Sequence, residues 1–158
     1  MTDLEKLIEI AIKSEIVAAE NYRKAADMIN IYLLKDKFRF LEKEEIGHRK
    51  ALEALFKRKF PDKEITLPDI SNMPFPEFEV NEEMELSAII EKAMEAEKYA
   101  MDFYRKMEGN LEGDEEKAMA RYLASMEESH YHLLKSELEM AHNFELYDEI
   151  HAMMHVGP

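Results

Sequence analysis

The 158-residue sequence predicts an all-α fold, a four-helix bundle made of two antiparallel helical hairpins joined by a long crossover. Three observations carry this. Long stretches rich in Ala, Leu, Ile, Met, Glu and Lys repeat apolar residues at helical spacing, with no strand-like alternation. Four of the five prolines, Pro61, Pro68, Pro74 and Pro76, fall in one central stretch, and none precedes them. Two of the four glycines, Gly109 and Gly113, mark a second and shorter break.

Taken in order, the first helix spans about residues 3–28, with Thr2-x-x-Glu5 offering a capping box at its start. The second spans about 34–56. The third spans about 81–109, with Asn81 as N-cap and acidic residues in its first turn. The fourth spans about 114–143, and the tail Phe144–Pro158 either extends it or forms a short fifth element. The connections inside each pair are short, which makes the paired helices antiparallel neighbours. The Pro-rich connection, about 57–80, is long enough to join ends that are far apart. A chain of this length fits one domain, residues 1–158, with a proper core.

Charge narrows the function classes. With 35 acidic and 21 basic residues the net charge is −14, a field that repels nucleic acid and anionic membranes. There is no cysteine, which excludes disulfides and thiolate metal sites. No stretch approaches the ~18 consecutive apolar residues of a membrane span. Met1-Thr2-Asp3-Leu4-Glu5 lacks the features of a signal peptide, so a cytoplasmic location is expected.

The chain carries an internal repeat. Glu45-Ile46-Gly47-His48 and Glu127-Glu128-Ser129-His130 are both Glu-x-x-His, and they lie 82 residues apart. The same offset carries Glu15 onto Glu97, Tyr22 onto Tyr104 and Leu41 onto Leu123, as expected if one helical hairpin is used twice. With 27 Glu and 6 His, about one Glu-x-x-His arises by chance, so a single copy means nothing. A third copy, Glu139 to His142, has no counterpart in the other half and reads as surface.

Residues i and i+3 share a helix face, so Glu45 with His48 and Glu127 with His130 are each placed to meet one ion. Ile12, Leu41, Leu52, Met94, Leu123 and Leu134 surround these positions, so the carboxylates point into a core. Four unpaired buried carboxylates are too costly to stand alone, and two divalent cations match their charge. Carboxylates and imidazoles suit iron or manganese better than structural zinc. Against the metal reading stands a solvated face of charge pairs. Tyr22 and Tyr104 read either as core aromatics or as donors to ligand carboxylates. Gly47 is either a tolerated helix defect or a residue that keeps space beside the metals. His151 and His155, four apart, are a weaker surface pair, and His132 points away from His130.

This pattern, a Glu, a Tyr seven residues on, then Glu-x-x-His, all repeated, resembles the rubrerythrin branch of the ferritin-like superfamily from about Leu4 to Met140. The resemblance implies a ferritin-like bundle holding two iron ions, or manganese in their place. Glu45 and Glu127 would bridge the ions, Glu15 and Glu97 would be terminal ligands, and His48 and His130 would each bind one. Tyr22 and Tyr104 would support ligand carboxylates from outside. It further implies a homodimer that reduces hydrogen peroxide. Two departures matter. These residues contain no cysteine, so electrons are expected from a separate donor such as a rubredoxin. The position three residues after Glu97, where the family carries an extra glutamate, is Ala100, and its repeat partner is Ala18. A ferroxidase or iron-handling protein, using oxygen or peroxide, is the alternative, and a bundle merely stabilised by metal is a second.

Overall fold

The computed structural model describes residues 3–69 and 78–154. Four helices follow one another: α1 (Leu4–Met28), α2 (Tyr32–Lys59), α3 (Leu86–Asn110) and α4 (Asp114–Met154). They pack chiefly as two hairpins, α1 with α2 and α3 with α4. Among the described residues no helix is long and apolar enough to cross a membrane.

Local chemistry sets the helix ends. Asp3 caps α1, its side chain accepting from the Glu5 N–H at 3.1 Å. Thr2, expected to open a capping box, lies outside the described residues. At the other end of the bundle's base, the basic last turn of α2 meets the acidic first turn of α4. Arg58 Nη2 donates to Glu115 Oε1 at 2.7 Å, and Lys59 pairs with the buried Glu116. Both charges also suit the helix dipoles at those termini.

Three boundaries differ from expectation. Helix α2 is longer at both ends, from Tyr32 to Lys59, because the basic last turn is compatible with helix and the chain breaks only at Phe60, just before Pro61. Helix α3 begins at Leu86, not near Asn81. Asn81 caps a turn instead: its Oδ1 accepts from Glu83 N–H at 3.0 Å and its carbonyl from Met84 N–H at 3.2 Å. The chain then runs extended through Glu85, the residue before the helix. Of the two outcomes expected for the tail, extension of the fourth helix holds for its described part, since α4 continues unbroken to Met154.

Two apolar clusters fill the bundle. One joins Ile8 and Ile12, Leu52 to Phe56, Tyr104 with Met107, and Ala120 with Leu123. The other joins Tyr22 to Ile29, Leu34 to Leu41, Ile89 to Ala93, and Leu134 with Ala141. The start of α1 therefore sits with the end of α3, and the two are antiparallel. The crossover must climb the full length of the bundle. Its first part is held by Thr66 N–H donating to Glu9 Oε1 at 2.8 Å and by an ion pair between Lys63 and Glu5. Its last part packs Phe78, Val80 and Met84 on the second cluster.

Candidate metal centre

Between the two apolar clusters lies one polar layer. Glu15 comes from the middle of α1, Glu45 and His48 from α2, Glu97 from α3, and Glu127 and His130 from α4. None of the six is more than 4% exposed. The structure thus brings together every residue expected to hold metal, although they are spread over 116 positions of sequence.

The layer divides into two overlapping groups of donors. In the first, atoms of Glu15, Glu45, His48 and Glu127 all lie within 4.8 Å of one another. In the second, the same holds for Glu45, Glu97, Glu127 and His130. Only Glu45 and Glu127 belong to both, and each splits its oxygens between them. His48 Nδ1 lies 3.1 Å from Glu127 Oε1, 3.3 Å from Glu45 Oε2 and 3.5 Å from Glu15 Oε2. His130 Nδ1 lies 3.1 Å from Glu45 Oε1, 3.5 Å from Glu97 Oε1 and 3.6 Å from Glu127 Oε2. The two imidazoles stand nearly parallel, with ring centroids 5.6 Å apart and 12° between planes.

The internal hydrogen bonds do not satisfy this layer. Glu15 Oε2, both oxygens of Glu45, Glu97 Oε2, His48 Nε2 and both nitrogens of His130 are buried without a hydrogen-bond partner. Several of these atoms are close in distance but poorly aligned for bonding. Orphaned buried polar atoms are rare in a native fold and call for an ion or water. The donors are hard to borderline, carboxylate-rich and six in number, a set that fits two divalent ions of iron or manganese.

Electrostatics follow from burial. Burial, with the charges of Glu45 and Glu127, raises the Glu15 carboxyl well above the usual range. Burial likewise raises Glu97, helped by Glu127 and Glu45. Burial also pushes Glu45 upward, but the close approach of the Glu15 carboxyl and of the His130 and His48 imidazoles outweighs it and holds Glu45 low. For Glu127, the neighbouring Glu97 carboxyl and the His130 and His48 imidazoles outweigh burial and the charge of Glu45. Burial alone would lower both imidazoles. The close carboxyl groups of Glu127, Glu15 and Glu45 raise His48 instead, and those of Glu127, Glu45 and Glu97 push His130 up to about 12. The layer thus draws protons toward Glu15, Glu97, His48 and His130 and away from Glu45 and Glu127, which offsets charge that cations would otherwise balance.

The tyrosines complete the layer. Tyr22 O–H donates to Glu97 Oε1, and Tyr104 O–H donates to Glu15 Oε1. Burial and the adjacent carboxylates raise both phenol pKa values, so both hydroxyls keep their protons and act as donors. The weaker readings fall away from the layer. Gly47 is exposed, and a Cβ built on it meets nothing within 4 Å, so it reserves no space for metal. Glu139, His142 and His132 are exposed. His151 is exposed and stacks on Tyr147, while His155 lies outside the described residues.

One residue was not anticipated. Glu44 lies with His48 and His130 in a third group of possible donors within 4.8 Å. The repeat hid it, because its counterpart 82 residues on is Met126. The signal available was its i,i+4 spacing to His48.

The rubrerythrin family model matches residues 6–138. A hypothetical protein from Pyrococcus furiosus is 39% identical, with a TM-score of 0.79 over 90% of this chain and 92% of that one. An uncharacterised conserved protein from Magnetospirillum magnetotacticum is 19% identical, with a TM-score of 0.71 over 88% and 95%. A dodecameric thioferritin from Bacteroides fragilis, described as related to bacterioferritin, is 16% identical, with a TM-score of 0.66 over 92% and 91%. The last two likenesses concern the fold alone. No curated protein matches the chain.

Proposed function

This chain belongs to the rubrerythrin family, and from that premise we propose that it is a non-haem di-iron oxidoreductase that reduces hydrogen peroxide with electrons from an external one-electron donor. The observation that carries the reading is the splitting of Glu45 and Glu127. Each offers one oxygen to the His48 group and the other to the His130 group. Two divalent ions would there be held by Glu45 and Glu127 in common, with Glu15 and His48 completing one set of donors and Glu97 and His130 the other.

Two iron ions held there would supply one electron each, and peroxide takes two electrons and two protons to become two waters. The protein's own part is positional. Apolar clusters above and below keep bulk water from the layer. Tyr22 and Tyr104 hold the terminal carboxylates by one oxygen and leave Glu97 Oε2 and Glu15 Oε2 free to face an ion. With no thiolate iron site among these 158 residues, a rubredoxin or similar protein is the proposed donor. A homodimer is the proposed assembly, supported by large apolar side chains left exposed, such as Tyr32, Phe144 and Tyr147.

The test is anaerobic Fe(II) loading and desalting, followed by peroxide addition with and without a reduced donor. About two irons per chain and donor-dependent peroxide turnover are expected. Rapid multi-turnover Fe(II) oxidation with slow peroxide turnover would make the protein a ferroxidase instead. Retained metal that does not redox-cycle would reduce it to a metal-stabilised bundle.

A further inference from the structure

We propose that Glu44, together with one nitrogen each of His48 and His130, forms an outer loading position through which divalent iron reaches the buried centre. The proposal rests on the reading of that centre as a divalent-metal site.

Glu44 stands one helical turn before His48 on α2, so the two side chains share a face. Its side chain is 30% exposed, whereas the side chains of His48 and His130 are only 4% and 3% exposed. Glu44 is therefore the member of the group that meets solvent. Its Oε2 lies 4.0 Å from His130 Nε2, an atom buried and without a hydrogen-bond partner. His48 Nε2 is unpartnered too. Among the described residues no lysine or arginine pairs with Glu44. A half-buried carboxylate without a lysine or arginine partner thus sits beside the orphaned His130 Nε2, and a donor atom from each of Glu44, His48 and His130 falls within 4.8 Å of the others.

Two imidazoles and one carboxylate are a donor set suited to Fe(II), with the remaining positions open to water. The net charge of −14 favours approach of the cation. The position is self-limiting. An incoming ion displaces one proton from each imidazole; a ring then engaged with an ion in the centre keeps its remaining proton on the other nitrogen, and N–H cannot bind a metal. A filled centre therefore removes two of the outer donors, so the position passes ions inward and does not store them. It is also one-sided, because Met126 occupies the equivalent place in the second hairpin.

The test uses Co(II), whose visible absorption reports its ligands, mixed rapidly with metal-free protein. Wild type, Glu44→Gln, Glu128→Gln and Met126→Glu are compared for loading rate and for final metal content. Glu128 is the charge control, an exposed carboxylate 3.5 Å from Arg105. Glu44→Gln is expected to load about 10-fold more slowly or worse while reaching the wild-type content. Glu128→Gln should load at the wild-type rate, and Met126→Glu should load faster. Equal rates for Glu44→Gln and wild type would overturn the proposal. Loss of equilibrium-bound metal in Glu44→Gln would also overturn it, by making Glu44 part of the centre. If wild type takes up no Co(II), the underlying metal-centre reading fails, and that outcome is distinct from both.

Discussion

The Tyr22 hydroxyl, on α1, donates to Glu97 on α3 and not to Glu15 on its own helix. Seven residues of α-helix rise about 10.5 Å, too far for Tyr22 to reach Glu15 along the same face. The antiparallel pairing of α1 and α3 brings Tyr22 level with Glu97 instead. Tyr104 reaches back to Glu15 in the mirror arrangement. Each hairpin therefore orients a buried carboxylate of the other.

The first prediction follows from that exchange. Tyr22→Phe should lower affinity for one ion about 10- to 100-fold, and Tyr104→Phe should do the same for the other. Competition against a chelating dye measures this. Unchanged affinity in both variants would reduce the tyrosines to core aromatics.

Shared and unshared carboxylates should behave differently. Glu15→Ala removes a donor from one group only and should leave about one ion per chain. Glu127→Ala removes a donor from both groups and should lose most bound metal. Metal content after desalting decides between them. Equal losses would mean that Glu127 is not shared.

Metal binding should release protons. Glu15, Glu97, His48 and His130 are all shifted toward their protonated forms by the layer. Divalent ions compete with these protons, so loading should release protons and affinity should rise with pH. A titration in weak buffer reads this directly. No proton release would place the metal elsewhere.

Stability should carry the matching signature. His48 and His130, raised from 6.5, lend the metal-free protein stability that is complete below pH 6.5 and declines as pH rises toward their folded values. Glu15 and Glu97, raised from 4.5, act in the same direction from pH 4.5 upward. Glu45 and Glu127, shifted down from 4.5, lend stability that is lost only as pH falls below that value. The gap in melting temperature between loaded and metal-free protein should therefore widen as pH rises above 6.5. Calorimetry with and without chelator would contradict this by showing a constant gap.

Gly47 offers a clean contrast. Its Cβ position is open, so Gly47→Ala should stabilise the protein by about 0.5–1 kcal/mol and leave metal content unchanged. A loss of metal in this variant would return Gly47 to the centre.

The parts legible in the sequence are those the repeat encodes. An offset of 82 residues singled out Glu15, Glu45, His48, Glu97, Glu127 and His130, because a duplicated hairpin writes its buried polar layer twice. The clustered prolines marked the crossover for an equally local reason. What escaped was tertiary or asymmetric. The partner of Tyr22 depends on how α1 and α3 slide past one another, which no single helix records. Asn81 is a good cap, but the turn it closes precedes the helix by several residues. Glu44 has no twin, so a search for twins passes over it.

The crossover has a consequence for how the centre assembles. Every group of four donors draws on both hairpins, so two untethered hairpins would form it only by meeting in solution, and dilution would take it apart. Joining α2 to α3 and fastened through Thr66 to Glu9, the crossover makes that meeting intramolecular. Assembly of the layer becomes a first-order event, and its completeness is independent of how much protein is present.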